Sequence, residues 1–222
     1  MQVREIADLV RLEFRLDRRQ KHALGGLLLY VVAAIYICYL SFRQLHDIDI
    51  WNALYWIILL FAAFNALARS FQREDKGRQL YLYTLARPSS VIVARTLYNM
   101  LLLVLLALLS LGCYVLFLGS GAMHEAHTAQ FLLVVVLGSI GLASVLTMIS
   151  ALAGRAGSGL GLMAILGFPV VLPVLLIIIR ASSNALKGID WSVNSKYFLW
   201  LLLVDVMVIS LSYILFPYLW RD

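Results

Sequence analysis

The chain has 222 residues, of which 63% are hydrophobic and 14% charged, and its formal net charge is +6. A soluble domain of this length has no means of hiding so much apolar surface, so lipid is the expected solvent for most of the chain. A bilayer-crossing helix needs roughly 20 consecutive apolar residues, and six runs meet that standard: about 23–42, 51–68, 97–119, 129–153, 159–180 and 197–219. They are continuous runs rather than short alternations, which excludes barrel strands and favours helices that satisfy their own backbone. Little remains for a soluble domain, so residues 1–222 are expected to form a single polytopic, all-α membrane unit.

The first 22 residues, MQVREIADLVRLEFRLDRRQKH, carry ten charges and lack the short apolar core and small-residue cleavage site of a removable signal. Val3, Ile6, Leu9, Val10 and Phe14 recur at near-helical spacing. That pattern fits a helix lying in the membrane interface with its basic residues toward anionic headgroups; an ordinary charged leader to the first span is the alternative. Cys38 and Cys113 both fall inside spans and suggest neither a disulfide framework nor a metal site.

After the second span comes the longest polar stretch of the chain interior, SFQREDKGRQLYLYTLARPSSVIVAR, residues 70–95. Leu80, Tyr81, Tyr83, Thr84 and Leu85 can form a short helix, which Pro88 cannot continue. Glu74 and Asp75 precede it, where the positive end of the helix dipole favours acids. An amphipathic helix of this kind is an object for another protein to grip; a solvated loop resting its aromatic rings on headgroups is the other reading.

HEAH, residues 124–127, falls in the loop after the third span. It has one residue too few after the glutamate for the zinc-protease pattern and no helix around it, so a polar loop is preferred to ligation by His124 and His127. The fourth span carries Gly138, Ser139, Gly141, Ser144, Thr147 and Ser150. Small residues let helices approach closely in lipid, which is preferred here to a substrate groove. GRAGSGLG, residues 154–161, lacks the Gly-Lys-Ser/Thr ending of a phosphate loop and reads as a tight turn between two membrane helices. In the fifth span Pro169 and Pro173 each remove a backbone donor and displace the carbonyl four residues earlier. Such a segment survives in lipid where neighbours or a cavity satisfy the freed carbonyls, which leaves open a passive kink and a role lining a pathway. Asp205 is the one acidic residue well inside a span. A charge there costs about 3 kcal/mol on insertion scales, so protonation, pairing or a wet cavity is expected. Function and a helix-to-helix hydrogen bond both remain possible readings of it.

Fourteen of the 18 Lys and Arg residues fall on one side of the six-span arrangement: the leader, the 69–95 segment, Arg155 and Arg221. Arg43, Arg180, Lys187 and Lys196 fall on the other. By the positive-inside rule both termini and the 69–95 segment are cytoplasmic. The positive charge is thus a topology signal, and nucleic acid is a poor partner for it.

The 70–95 stretch resembles the cytoplasmic loop of ABC-2-type exporter permeases. There an acid precedes a glycine, a Leu-rich helix, a proline and a basic residue opening the next span. Glu74, Gly77, Leu80, Leu82, Leu85, Pro88 and Arg95 stand in those places. Within that group the whole chain is similar to the haem exporter protein B (CcmB) family of cytochrome c maturation. The likeness is carried by LEFRLDRRQ in the leader, ALARSF after the second span, LGSIGLASVLTMISALAGRAGSG, and the doubly proline-bearing ILGFPVVLPVLLIIIR. One departure is Tyr81, where some relatives carry an acid. The resemblance implies a permease in the inner (plasma) membrane whose coupling helix, with Tyr81 among its contacts, seats in a separate ATPase subunit. It implies a homodimer with two CcmA-like ATPase subunits, working with a CcmC-like haem handler and a CcmE-like haem chaperone. ATP is then used by the partner, with haem as the exported substrate or the cargo of a chaperone released by ATP hydrolysis. A permease of the same type for a lipid, polysaccharide or peptide is the alternative. An intramembrane enzyme is disfavoured, because it needs clustered catalytic groups inside the spans, whereas all four His lie outside them and Asp205 stands by itself.

Overall fold

A computed structural model describes residues 2–19, 21–42, 47–68, 87–119, 121–123, 126–155 and 159–221. All regular structure among these residues is helical: α1 (Gln2–Arg19), α2 (Lys21–Ser41), α3 (Ile48–Leu67), α4 (Pro88–Leu118), a 3-10 turn (Gly121–Met123), α5 (Thr128–Arg155), α6 (Gly159–Leu186) and α7 (Trp191–Arg221). Helices α3 to α7 are each long and apolar enough to cross a membrane. Together they make an all-α membrane protein.

The centre of the bundle is α5, which packs on α3, α4, α6 and α7. Of its apolar stretch 72% is buried, against 22–56% for the other four long helices. Its small residues explain that position. A side-chain carbon at Gly138 would lie 2.9 Å from the Trp56 ring, and one at Gly141 would lie 2.6 Å from Asp205 Oδ1. Ser139, Ser144, Thr147 and Ser150 are buried as well. Without a hydrophobic drive between helices in lipid, such close approach is what supplies packing energy.

One cluster within the core is aromatic. Trp51, Tyr55, Trp56, Tyr114 and Phe131 are all buried, with Trp51 and Tyr114 edge to face at 4.8 Å between centroids. Three of their four polar side-chain atoms find partners on other helices, whereas Trp51 Nε1 has none among the described residues. Tyr55 donates to the Ala107 carbonyl at 3.0 Å, Tyr114 to that of Trp51 at 2.9 Å, and Trp56 Nε1 to Ser182 Oγ at 3.0 Å. A buried hydroxyl or indole N–H left without a partner costs about 1–3 kcal/mol, so these bonds fix which faces meet.

Three boundaries differ from the sequence expectation by six residues or more. The loop expected to reach residue 96 ends at Arg87, and α4 starts nine residues before the expected 97. Arg87 is extended and Pro88 occupies the first helical position, where its missing N–H costs nothing and its fixed φ suits a helix. Hydropathy misplaced this start because Ser90, Arg95, Thr96 and Asn99 are polar yet buried. Second, α6 runs to Leu186 rather than 180. It closes on Gly188 at φ +67°, with the Ile189 amide donating to the Asn184 carbonyl at 3.0 Å. A left-handed residue after the helix is the usual glycine stop. Third, α7 begins at Trp191 rather than 197. Pro169 and Pro173 both lie inside the continuous helix α6. Pro217 lies inside α7 in the same way.

Candidate coupling site and intramembrane polar site

Of the coupling residues read from the sequence, Glu74, Gly77, Leu80, Tyr81, Leu82 and Leu85 lie outside the described residues, and Pro88 lies inside as the first residue of α4. The described residues that flank it on either side are held by other helices. On the upstream side, Ser150 of α5 donates to the carbonyl of Leu67 at 3.0 Å, pinning the last residue of α3 to the central helix.

On the downstream side α1 holds the start of α4 through three acids. The Arg87 amide donates to Glu5 Oε1 at 2.9 Å. Arg95 Nε donates to Glu13 Oε1 at 3.3 Å, with the guanidinium side chain only 5% exposed. Tyr98 donates its hydroxyl to Asp17, and Phe14 meets the Tyr98 ring edge to face at 5.0 Å. Charge-assisted bonds to a buried cation contribute more than exposed pairs do. Hence α1 and the first turns of α4 form one body at the exit of the coupling segment. Arg95, the basic residue that opens the third span in the resemblance, sits eight residues inside α4 and points at α1. Sequence reasoning missed the roles of Glu5, Glu13 and Asp17. Their spacing of eight and four residues, one face of a helix, was the available signal.

Asp205 is 5% exposed on α7. Its Oδ1 has no hydrogen-bond partner among the described residues and rests against Gly141 of α5, with Val174 of α6 beside the same glycine. A side chain at 141 would exclude the carboxyl from this place. The structure therefore joins two features that the sequence showed separately, the small-residue stripe and the lone acid.

Pro169 and Pro173 are both exposed on the outside of the chain. They share that face of α6 with Ile165, Leu172 and Leu176, which are 71%, 51% and 64% exposed. None of the other described helices covers them. Pro169 and Pro173 thus face outward from α6, while Asp205 is buried between α5 and α7. His124 lies outside the described residues; His127 is exposed just before α5, its amide donating to the Ala185 carbonyl at 3.0 Å. Cys38 and Cys113 are half-buried free thiols.

At the opposite end of the bundle from Arg87, Asp49 of α3 accepts from Ser183 at 2.7 Å and from Lys187 at 2.8 Å. Buried Asn194 of α7 donates to Gln130 of α5 and to the Ala181 carbonyl of α6, each at 3.1 Å. These bonds tie α3, α5, α6 and α7 at that end.

A family model described as CcmB protein matches residues 4–217, nearly the whole chain. A comparison with curated proteins found no match.

Proposed function

Because the chain belongs to the CcmB family, we propose that residues 74–88 are the element through which a separate ATPase drives it. The chain is a membrane permease subunit of the ABC transporter of cytochrome c maturation, a haem-export system. It supplies the membrane passage, and ATP hydrolysis belongs to the partner. In this reading α2 is the sixth crossing, α1 lies in the cytoplasmic interface, and both termini are cytoplasmic. The Lys and Arg asymmetry supports that orientation, as does the pairing of α1 with Arg87 at the end of the coupling segment. Two copies with two ATPase subunits form the working unit, alongside a CcmC-like haem handler and a CcmE-like chaperone.

The observation that supports the coupling role is that the described residues flanking the segment are held by other helices on both sides. Ser150 holds the end of α3, and Glu5, Glu13 and Asp17 hold the start of α4. A push on the intervening residues is delivered directly to α3, α4 and α1. The exposed proline face of α6 is then the surface that meets the pathway or the second copy, where the carbonyls freed by Pro169 and Pro173 find donors. Asp205 is the intramembrane polar group whose environment changes as α5 and α7 move.

Buried aromatic and aliphatic anchors dominate such interfaces, each costing about 2 kcal/mol or more on truncation. Tyr81→Ala combined with Leu85→Ala is expected to strip the ATPase from the purified permease while membrane insertion is kept. Charge changes at Lys76 or Arg78 have little effect in comparison. ATPase retained at wild-type stoichiometry and turnover in the double variant refutes the coupling role.

A further inference from the structure

Asp205 is the only acid among the buried described residues. A carboxyl at this depth can pair with a cation, face water in a polar cavity, or carry a proton. Among the described residues no cation reaches it. Helix α7 packs on α4, α5 and α6. Along α7 itself Lys196 stands nine residues before Asp205, about 14 Å away at ~1.5 Å per residue. His127 and Arg155 lie at opposite ends of α5, each fourteen residues from Gly141, or about 21 Å. On α6 the exposed Arg180 is six residues past Val174, about 9 Å along the helix. On α4 the buried Arg95 is bonded to Glu13. The remaining titratable groups on these helices are placed elsewhere. Tyr98 and Tyr114 donate to Asp17 and to the Trp51 carbonyl, and Cys113 is a half-buried thiol. Tyr197 and Tyr213 stand eight residues to either side of Asp205 on α7.

Water has no better foothold. Asp205 Oδ1 is buried without a hydrogen-bond partner among the described residues. It sits so close to Gly141 that a side-chain carbon there would come within 2.6 Å, and Val174 Cγ1 is 3.4 Å from the same point. The neighbouring hydroxyls of α5 and α7 are bonded within their own helices. Ser144 donates to the Gly141 carbonyl at 2.9 Å, Ser212 donates to that of Val208 at 2.8 Å, and Ser139 donates to that of Val135. A buried water needs roughly two to four polar partners, and this seat is formed by a glycine and a valine. An uncompensated carboxylate here is strongly destabilising, whereas the neutral acid is tolerated.

We propose that Asp205 is a proton-binding site: its carboxyl holds a proton while α5 and α7 meet at Gly141, and exchanges it with water when the two helices part. On release the O–H bond breaks, the proton passes to water and the electron pair stays on the carboxylate; renewed contact reverses the step. The exchange rests on the reading that the surroundings of Asp205 change as α5 and α7 move.

Infrared difference spectroscopy of the purified permease in lipid near neutral pH, wild type against Asp205→Asn, tests the site. The wild type is expected to show the C=O stretch of one protonated carboxyl, sensitive to deuterium, which Asp205→Asn lacks. Gly141→Ala displaces the carboxyl and shifts or abolishes the band. Should that variant fail to fold, Val174→Ala opens the same seat and speeds exchange of the band in heavy water. In the complex with its ATPase, exchange is expected to accelerate about tenfold or more during ATP turnover, as a minor open state becomes well populated. Absence of the band, or its survival in Asp205→Asn, overturns the proposal and leaves the helix movement standing. A band untouched in Gly141→Ala, or in its absence exchange untouched by Val174→Ala, overturns it as well. Exchange indifferent to ATP turnover overturns the link to helix movement, and with it the reading that the surroundings of Asp205 change.

Discussion

Gly141 and Asp205 meet where α5 and α7 cross, and the consequence of adding one methyl group can be worked out. In Gly141→Ala the new carbon would lie 2.6 Å from Asp205 Oδ1, closer than side-chain carbons sit to any neighbour, while its 3.4 Å distance to Val174 Cγ1 is ordinary contact. The aspartate is short, so relief requires either rotating the carboxyl out of its place or moving α7 away from α5. Overpacking of this kind costs about 1–3 kcal/mol. Alanine returns at most about 1 kcal/mol in helix propensity, so the single variant is expected to lose about 1 kcal/mol. Asp205→Ala removes the atom that clashes. The double variant should therefore recover stability relative to the sum of the singles, with an interaction energy of about 1–3 kcal/mol. Thermal unfolding of the four purified proteins in one detergent, followed by circular dichroism, measures the cycle. A Gly141→Ala protein as stable as wild type, or strictly additive singles, refutes the packing described here.

If the proposed role of Asp205 is right, Asp205→Leu keeps the protein folded and in the membrane but lowers c-type cytochrome formation, and Asp205→Asn is milder; normal cytochrome levels in the leucine variant end that role. Glu13→Ala withdraws a carboxylate from buried Arg95 and is expected to weaken the α1–α4 contact by about 1.5–3 kcal/mol, the value of a bond to a charged group. Faster amide exchange throughout α1, with α5 unchanged, is the signature, and unchanged exchange in α1 counts against the clamp.

The long apolar helices were legible because lipid rewards uninterrupted apolar runs, and nothing else in this composition could bury them. Their ends were not. Residues 88–96 are too polar for a span by hydropathy, yet Arg95 and Asn99 are buried because Glu13 reaches one and Thr147 accepts from the other at 2.9 Å. Contacts between residues 82 and 48 positions apart leave no periodic trace. For the same reason the small residues of α5 were readable as packing residues, whereas Gly141 as the seat of Asp205 was not. The acids of α1 looked like ordinary spacing between basic residues until α4 was beside them. Residues 74–86 still draw their role from sequence pattern and family, with the structure supplying only the pinned ends.

As a CcmB-family permease, this chain should be required for cytochrome c maturation. The direct measurement is the haem-stained c-type cytochrome content of cells from which its gene alone has been deleted, with and without the wild-type chain restored. Loss of c-type cytochromes with b-type cytochromes retained, and recovery on restoration, is the expected result. C-type cytochromes at normal levels in the deletion strain would contradict it.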